Sequence, residues 1–420
     1  MRFIYTILFW LALPWMMLRL LWRAGFSQQY PYCFRERCGF SPKQFDHCIW
    51  VHAVSLGETI AATPLIRALR AKYPHETILI TNTTATGRAR TLAVFQDQVE
   101  QCAFPYDLPR MINRFLDRVK PRILIVMETE LWPNLFAACQ KRKIPIVLAN
   151  ARLSEKSARG YQRIGTLTRE MLSAISALAA QAEPDAERFI QLGMPKERIQ
   201  VTGNLKFDLE VPNDLMAKGA TFRTTLGGQR LIWVAASTHP GEDEIMLRAH
   251  SLLRAKFPDA LLVLVPRHPE RFDAVAALLH AQSFSYVRRS EDAICDQNTT
   301  IYLADSVGEM MLMFAACDVA CVAGSFVQVG GHNIIEPAAL HKPVITGPVM
   351  FNFASMSQEM VAAGGMFQVQ DAEALSHKLM QLFSDEILRH DVGEKAFQVV
   401  EKNRGALQRQ VAMIEAKIFL

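Results

Sequence analysis

The chain has 420 residues, half of them hydrophobic and 21% charged, with a formal net charge of +5. That length suits two to three domains of roughly 100–200 residues each, and the composition excludes a disordered or collagen-like chain. The mild basic excess is not gathered into any block of Lys and Arg, which argues against nucleic-acid binding. Eight cysteines occur, none in a CxxC pair and most inside apolar runs such as Cys317–Cys321. They read as reduced core residues.

The N-terminus differs from the rest. Phe3 to Leu18 is nearly all apolar, with Arg2 before it, Arg19 and Arg23 after it, and no acid before Glu36. A cleaved signal peptide needs a small-residue cleavage site, and none is convincing here. A spanning helix wants about 20 apolar residues, and this run is shorter and contains Pro14. Trp10, Trp15, Trp22 and the arginines suit the headgroup zone. Residues 1–26 are therefore expected to be an uncleaved membrane anchor, with the body on the cytoplasmic side.

From Cys48 onward, short apolar runs alternate with helical patterns. The runs are Ile49–Val54, Thr77–Thr81, Ile123–Met127, Ile144–Ala149 and Leu178–Gln181, then Leu231–Ala236, Ala260–Pro266, Thr300–Leu303, Val319–Ala323 and Pro343–Thr346. Continuous apolar runs alternating with helices predict buried parallel strands in an α/β fold. Periodicity fades between about Asp208 and Leu226, where turn formers gather, so a linker is placed at 209–225. It separates a first domain, 27–208, from a second, 226–420. Ligands of such sheets sit at the carboxyl ends of strands, so an interdomain cleft is the expected site.

Six segments carry candidate chemistry. In the first, an apolar strand runs into Ser55-Leu-Gly57, whose glycine is expected to form a tight turn, and Glu58 then opens a helix. Glu58 reads either as a first-turn acid complementing the helix dipole or as a general base. The second segment is a strand ending in Glu128 and Glu130. The third places Lys206 beside the linker, where a cation could meet a phosphate or carboxylate. Arg267 and His268 follow the strand Ala260–Pro266, and a guanidinium forks onto phosphate oxygens. The fifth, Asp305 to Met310, reads as a helix start capped by Asp305 or Ser306. The sixth, Gly324 to Pro337, is a Gly-rich loop leading to a helix expected to begin near Asn333, whose N–H groups would face an anion. It is neither G-x-G-x-x-G nor a Walker loop.

Taken together these segments resemble the 3-deoxy-D-manno-octulosonic acid (Kdo) transferases of lipid A assembly. The resemblance rests on Val54-Ser-Leu-Gly-Glu58, Met127-Glu-Thr-Glu-Leu-Trp-Pro133, Asn150-Ala-Arg-Leu-Ser154, Thr202-Gly-Asn-Leu-Lys-Phe-Asp208, Pro266-Arg-His-Pro-Glu270 and Gly330-Gly-His-Asn-Ile-Ile-Glu-Pro337. Found in this order, they extend it from the N-terminal segment to about Phe353. It implies the GT-B glycosyltransferase architecture of two Rossmann-like domains. It further implies CMP-Kdo as donor, the lipid A precursor as acceptor, inversion at the anomeric carbon, no metal and no cofactor, and work at the bacterial inner membrane surface. By the same resemblance Glu58 is the general base, and Glu128 and Lys206 stabilise the transition state. Arg267, His268, Gly308, Glu309, Met310, Asn333, Ile334, Ile335 and Glu336 would bind CMP. Ile334-Ile335 departs from the Pro-Leu expected in many relatives. The alternative is a GT-B enzyme using another nucleotide sugar and a lipid-linked acceptor. A nicotinamide dehydrogenase is disfavoured, because no G-x-G-x-x-G follows the first strand.

Overall fold

The structure, a computed structural model, describes residues 1–25 and 33–418. It divides into one unit formed by Met1–Asp208 with Arg404–Leu420 and a second formed by Leu209–Asn403. Residues 26–32, where the anchor was expected to meet the first domain, lie outside the described residues.

The first unit is built on seven parallel strands: β1 (Cys48–His52), β2 (Ile78–Asn82), β3 (Glu100–Ala103), β4 (Pro121–Met127), β5 (Ile146–Ala151), β6 (Ala177–Ala180) and β7 (Ile199–Val201). Their order across the sheet is β3-β2-β1-β4-β5-β6-β7. Successive side chains of a strand point to opposite faces, and here both faces are covered. Trp50, Leu124, Val126 and Leu148 join one core, while Ile49, Val51, Ile123 and Val147 join the other. That is why the strands read as continuous apolar runs rather than as alternation.

The second unit repeats the plan with β8 (Ile232–Thr238), β9 (Leu261–Pro266), β10 (Tyr286–Arg288), β11 (Ile301–Leu303), β12 (Val319–Val322), β13 (Val344–Thr346) and β14 (Met366–Gln368). Its strands are also parallel, in the order β10-β11-β9-β8-β12-β13-β14.

Two expected boundaries differ from the structure. Most of the stretch expected as a linker is helix, Leu215–Thr225, which buries Leu215, Gly219 and Phe222 in the second unit. Turn formers occupy only its first few residues. The chain's last segment, expected in the second domain, belongs to the first unit. Asp208 holds it there: its two carboxylate oxygens accept from Gly405 N–H and Leu407 N–H, each at 2.6 Å. Helix Ala406–Ile418 then buries Ala406, Ile414 and Ile418 in the core beneath β1 and β4. Gln410, fully buried, accepts from Asn150 N–H and donates to Thr202 Oγ, both at 3.0 Å.

The N-terminal segment is one helix, Arg2–Gly25, running through Pro14. One side packs on the first unit: Leu13 meets Tyr106 and Leu108, Asn134 Nδ2 donates to Thr6 Oγ at 3.1 Å, and Arg2 pairs with Glu170 at 3.3 Å. Phe3, Leu11, Trp15 and Leu18 stay exposed. Among the described residues no helix is long and apolar enough to cross a membrane. All eight cysteines are free thiols, six of them buried.

The Asp208 bridge sets an expectation for stability. Asp208→Ala removes the acceptor of two N-terminal amides of the last helix, a loss worth about 1–2 kcal/mol. Urea unfolding should show this as a lowered midpoint with little change in slope.

Candidate active site

Near the middle of each sheet the chain crosses from one half to the other, between β1 and β4 in the first and between β8 and β12 in the second, where β11 also lies inside β10. Loops leaving the carboxyl ends there diverge and leave room for a ligand. Glu58 and Glu128 sit at the first of these places and Asn333 to Glu336 follow β12 at the second, whereas Arg267 and His268 follow β9, Gly308 to Met310 follow β11 and Lys206 follows β7.

In the first unit, β1 ends at His52 and helix Leu56–Lys72 starts four residues later. Ser55 is its N-cap. Glu58 closes the cap from the other side: Oε1 accepts from Ser55 Oγ at 2.9 Å and Oε2 from Val54 N–H at 2.8 Å. This is a reciprocal capping arrangement. Each carboxylate oxygen keeps a further lone pair. Glu58 is only 8% exposed. Burial raises its pKa, the bonds from Val54 and Ser55 pull it back, and the Glu128 charge adds to the rise. The two readings of Glu58 are thus compatible, since the cap aims the carboxylate and burial makes it more basic. Gly57 lies in the first helical turn with ordinary backbone angles, so the expected glycine turn is absent.

Glu128 follows β4 with φ +55°, in the left-handed region that non-glycine residues seldom adopt. The strand therefore stops at Met127, and Glu128 and Glu130 do not extend it. Glu130 is pushed up to about 7, first by burial and then by the charges of Glu58 and Glu128. Lys206 sits on the turn Leu205–Phe207. That turn is tied to the end of β5, because Asn150 Oδ1 accepts from Leu205 N–H at 3.0 Å. Burial lowers the Lys206 pKa, while Glu128 works against the drop. Glu58, Glu128, Glu130 and Lys206 thus share one electrostatic neighbourhood, three acids around one base.

In the second unit the organising group is Glu242, which is fully buried. Its carboxylate accepts from Gly324 N–H at 2.8 Å, Ser325 N–H at 3.0 Å, Phe326 N–H at 2.9 Å and His239 N–H at 2.9 Å. Four backbone donors on one carboxylate lock the loop after β8 to the loop after β12. Arg267 N–H donates to Thr238 O at 3.0 Å, which brings the end of β9 to the same place. Arg271 braces it with bonds to Asp243 and Thr238 O.

Arg267 and Glu336 are brought together. Burial raises the Glu336 pKa, and the bond that Asn333 Nδ2 donates at 3.0 Å and then the Arg267 charge offset part of that rise. The helix expected near Asn333 covers only Ile335–Ala338, too short to carry a useful dipole. Asn333 instead turns the chain, its Oδ1 accepting from Ile335 N–H at 3.1 Å. Ile334 and Ile335 are fully buried, so neither side chain is offered to a ligand. Gly308, Glu309 and Met310 occupy a separate loop after β11. The helix there is Met310–Ala316, with Glu309 at its N-cap position and no side-chain cap. Asp305, an expected cap, instead pairs with Arg288 at 2.7 Å. Glu309 is gripped by Arg289 through two bonds of 3.0 and 2.9 Å, so its carboxylate is already engaged. Among the described residues no three His, Cys, Asp or Glu side chains converge as a metal site would require.

Glu242 and His239 were missed in the sequence. Their signal is the polar run Ser237-Thr-His-Pro-Gly-Glu242 directly after an apolar strand.

Two family models match the chain: 3-deoxy-D-manno-octulosonic-acid transferase (kdotransferase) over residues 33–209, and glycosyl transferases group 1 over residues 230–399. A 3-deoxy-D-manno-octulosonic acid transferase of Haemophilus influenzae is 44% identical over 99% of this chain and 98% of its own length. The chain belongs to the Kdo transferase family. A Bordetella pertussis Kdo transferase is 39% identical over 87% of this chain and 86% of its own. The fold is also that of a glycosyltransferase from Rickettsia africae, which matches 89% of this chain and 99% of its own at a TM-score of 0.58 and 15% identity. The transferase thus has two parallel-sheet α/β units of the GT-B kind, and its activity is Kdo transfer in lipopolysaccharide core assembly.

Glu242→Ala tests the lock on the loops of the second unit. It removes the acceptor of four loop amides, two of them buried and two part-buried, and each that water cannot reach costs about 1–3 kcal/mol. Affinity for CMP, read by calorimetry, should fall at least tenfold while the helical circular dichroism persists.

Proposed function

We propose that the transferase takes Kdo from CMP-Kdo and attaches it to a hydroxyl of the lipid A precursor, with inversion at the anomeric carbon. Glu58 accepts the hydroxyl proton as the oxygen attacks. The bond from the anomeric carbon to the phosphate oxygen breaks, and CMP leaves with the electron pair. Positive charge developing on the sugar is countered by Glu128. Lys206 neutralises the anionic groups of the donor. Arg267, His268 and Glu336, with the backbone of Gly308 to Met310 and of Asn333 to Ile335, hold CMP. The observation that carries this reading is Glu58 itself, a buried carboxyl of raised pKa at the end of β1, aimed by its own helix cap and beside Glu128.

The N-terminal helix serves the acceptor. We assign its exposed apolar side, Phe3, Leu11, Trp15 and Leu18, to the interface of the inner membrane on the cytoplasmic side. Domain limits near residue 26 and at Asp208 follow from the same division of labour.

Incubation with CMP-Kdo and lipid A precursor should raise the lipid mass by whole Kdo units. Glu58→Gln should cut the rate by about 10²–10⁴-fold, the usual worth of a general base; full activity in that variant rejects Glu58 as the base. CMP should compete better than UDP or ADP, and the reverse order rejects the donor.

The base acts only when deprotonated, so the rate should climb with pH and level off once Glu58 has ionised. Glu128→Gln removes the neighbouring charge that raises Glu58, so besides lowering the rate it should move that climb to lower pH in a pH–rate profile. Replacing Leu11 and Trp15 together by Asp removes roughly 2 kcal/mol of apolar burial for each side chain. Co-sedimentation with anionic vesicles should weaken at least tenfold, with soluble-acceptor activity retained.

A further inference from the structure

Three histidines meet where β8, β9 and the loop after β12 end. His239 Nε2 and His332 Nε2 lie 2.8 Å apart, with ring centroids 5.1 Å apart and only 9° between the planes. His268 meets His239 edge-on, with centroids 5.4 Å apart and planes at 82°. The His332 ring rests on the Gly324 backbone: a Cβ there would fall 2.7 Å from His332 Cδ2, and Gly324 has φ +69°. The carboxylate of Glu242 secures both supports, accepting from His239 N–H and Gly324 N–H.

A separation of 2.8 Å constrains the protons. Two bare nitrogens would repel and two N–H groups would clash, so one proton lies between the rings. In the neutral pair, the ring that donates it has a bare Nδ1, and the ring that accepts it carries N–H at Nδ1. One more proton fills the bare Nδ1. The pair then becomes a cation with two remaining N–H donors and a charge-assisted bond between the rings.

We propose that the His239–His332 pair is a proton-coupled part of the nucleotide site, taking up a proton when a phosphate oxygen binds beside Arg267 and His268. This rests on the CMP-binding reading above. The surroundings favour the neutral pair in the empty site. Burial lowers both rings, His332 to about 4, and Arg267 and His268 push the same way. The charged groups around the pair are Arg267, His268 and Arg271 after β9, Glu242 before helix Asp243–Arg254, and Glu336. Arg271 is already bound to Asp243, and Glu242 is surrounded by amides, so Arg267 and the histidines set the local field. A phosphate reverses that field. The demand grows during transfer, because the phosphodiester of the donor carries one negative charge and released CMP carries up to two. The acceptor proton goes to Glu58; the proton taken up by the pair comes from solvent.

The probe is the methyl ester of CMP, whose single phosphate charge does not titrate near neutrality. Calorimetry on the full chain, repeated at fixed pH in buffers of different ionisation enthalpy, counts protons taken up on binding. Between pH 6 and 7.5 the wild type should take up a fraction approaching one, and Kd should tighten with falling pH by up to about tenfold per unit, the limit for one linked proton. His332→Gln should abolish the uptake, with His239→Gln as the second variant if the first does not fold; His268→Gln should retain it. Binding without proton uptake overturns the proposal and leaves the donor reading standing. So does uptake that survives both pair variants and disappears in His268→Gln. If neither the ester nor CMP binds in any buffer, the donor reading itself fails.

Discussion

The crossover near the middle of each sheet decides where chemistry can be placed. Wherever two adjacent parallel strands send their following segments to opposite sides, the backbone ends between them are left uncovered. Glu58 and Glu128 flank that point in the first unit, and His239 and Gly324 flank it in the second. The turn of Lys206 is tied in through Asn150 and Arg267 through Thr238, while Gly308 to Met310 stay on a separate loop after β11. The family can therefore keep two plain α/β cores and concentrate its chemistry in a few residues after strands.

The two units use opposite charge logic. The first gathers three acids around Lys206 and raises the pKa of two of them by withholding water. The second collects donors. Its one fully buried acid, Glu242, is spent on backbone amides and so shapes the loop without opposing an incoming anion.

How legible this was depends on burial. All ten strands expected from apolar runs are interior strands of the two sheets. The four that escaped notice, β3, β7, β10 and β14, are the sheet edges. An edge strand has one neighbour and fewer buried positions, so Ile199–Val201 and Tyr286–Arg288 carry no continuous apolar run. The motifs marked Glu58 and Glu128 because each stands beside a strong strand, whereas Lys206 follows the weak edge strand β7. Asn150 and Glu128 could be named, but their left-handed backbone could not, since it follows from strand pairing rather than residue type. The short helix at Ile335 and the engagement of Glu309 by Arg289 depend on contacts distant in sequence. The placement of the chain's end was equally hidden, because Gln410 lies 260 positions from the Asn150 amide it accepts from.

The return of Arg404–Leu420 to the first unit also bears on synthesis. A ribosome delivers the seven strands of that unit well before the segment that covers Val51 and Ile125 has been translated. The nascent first unit must wait, with an apolar face uncovered, while nearly two hundred further residues emerge. Chaperone capture during that interval, and intolerance of early stop codons near the very end of the gene, follow from where one helix packs.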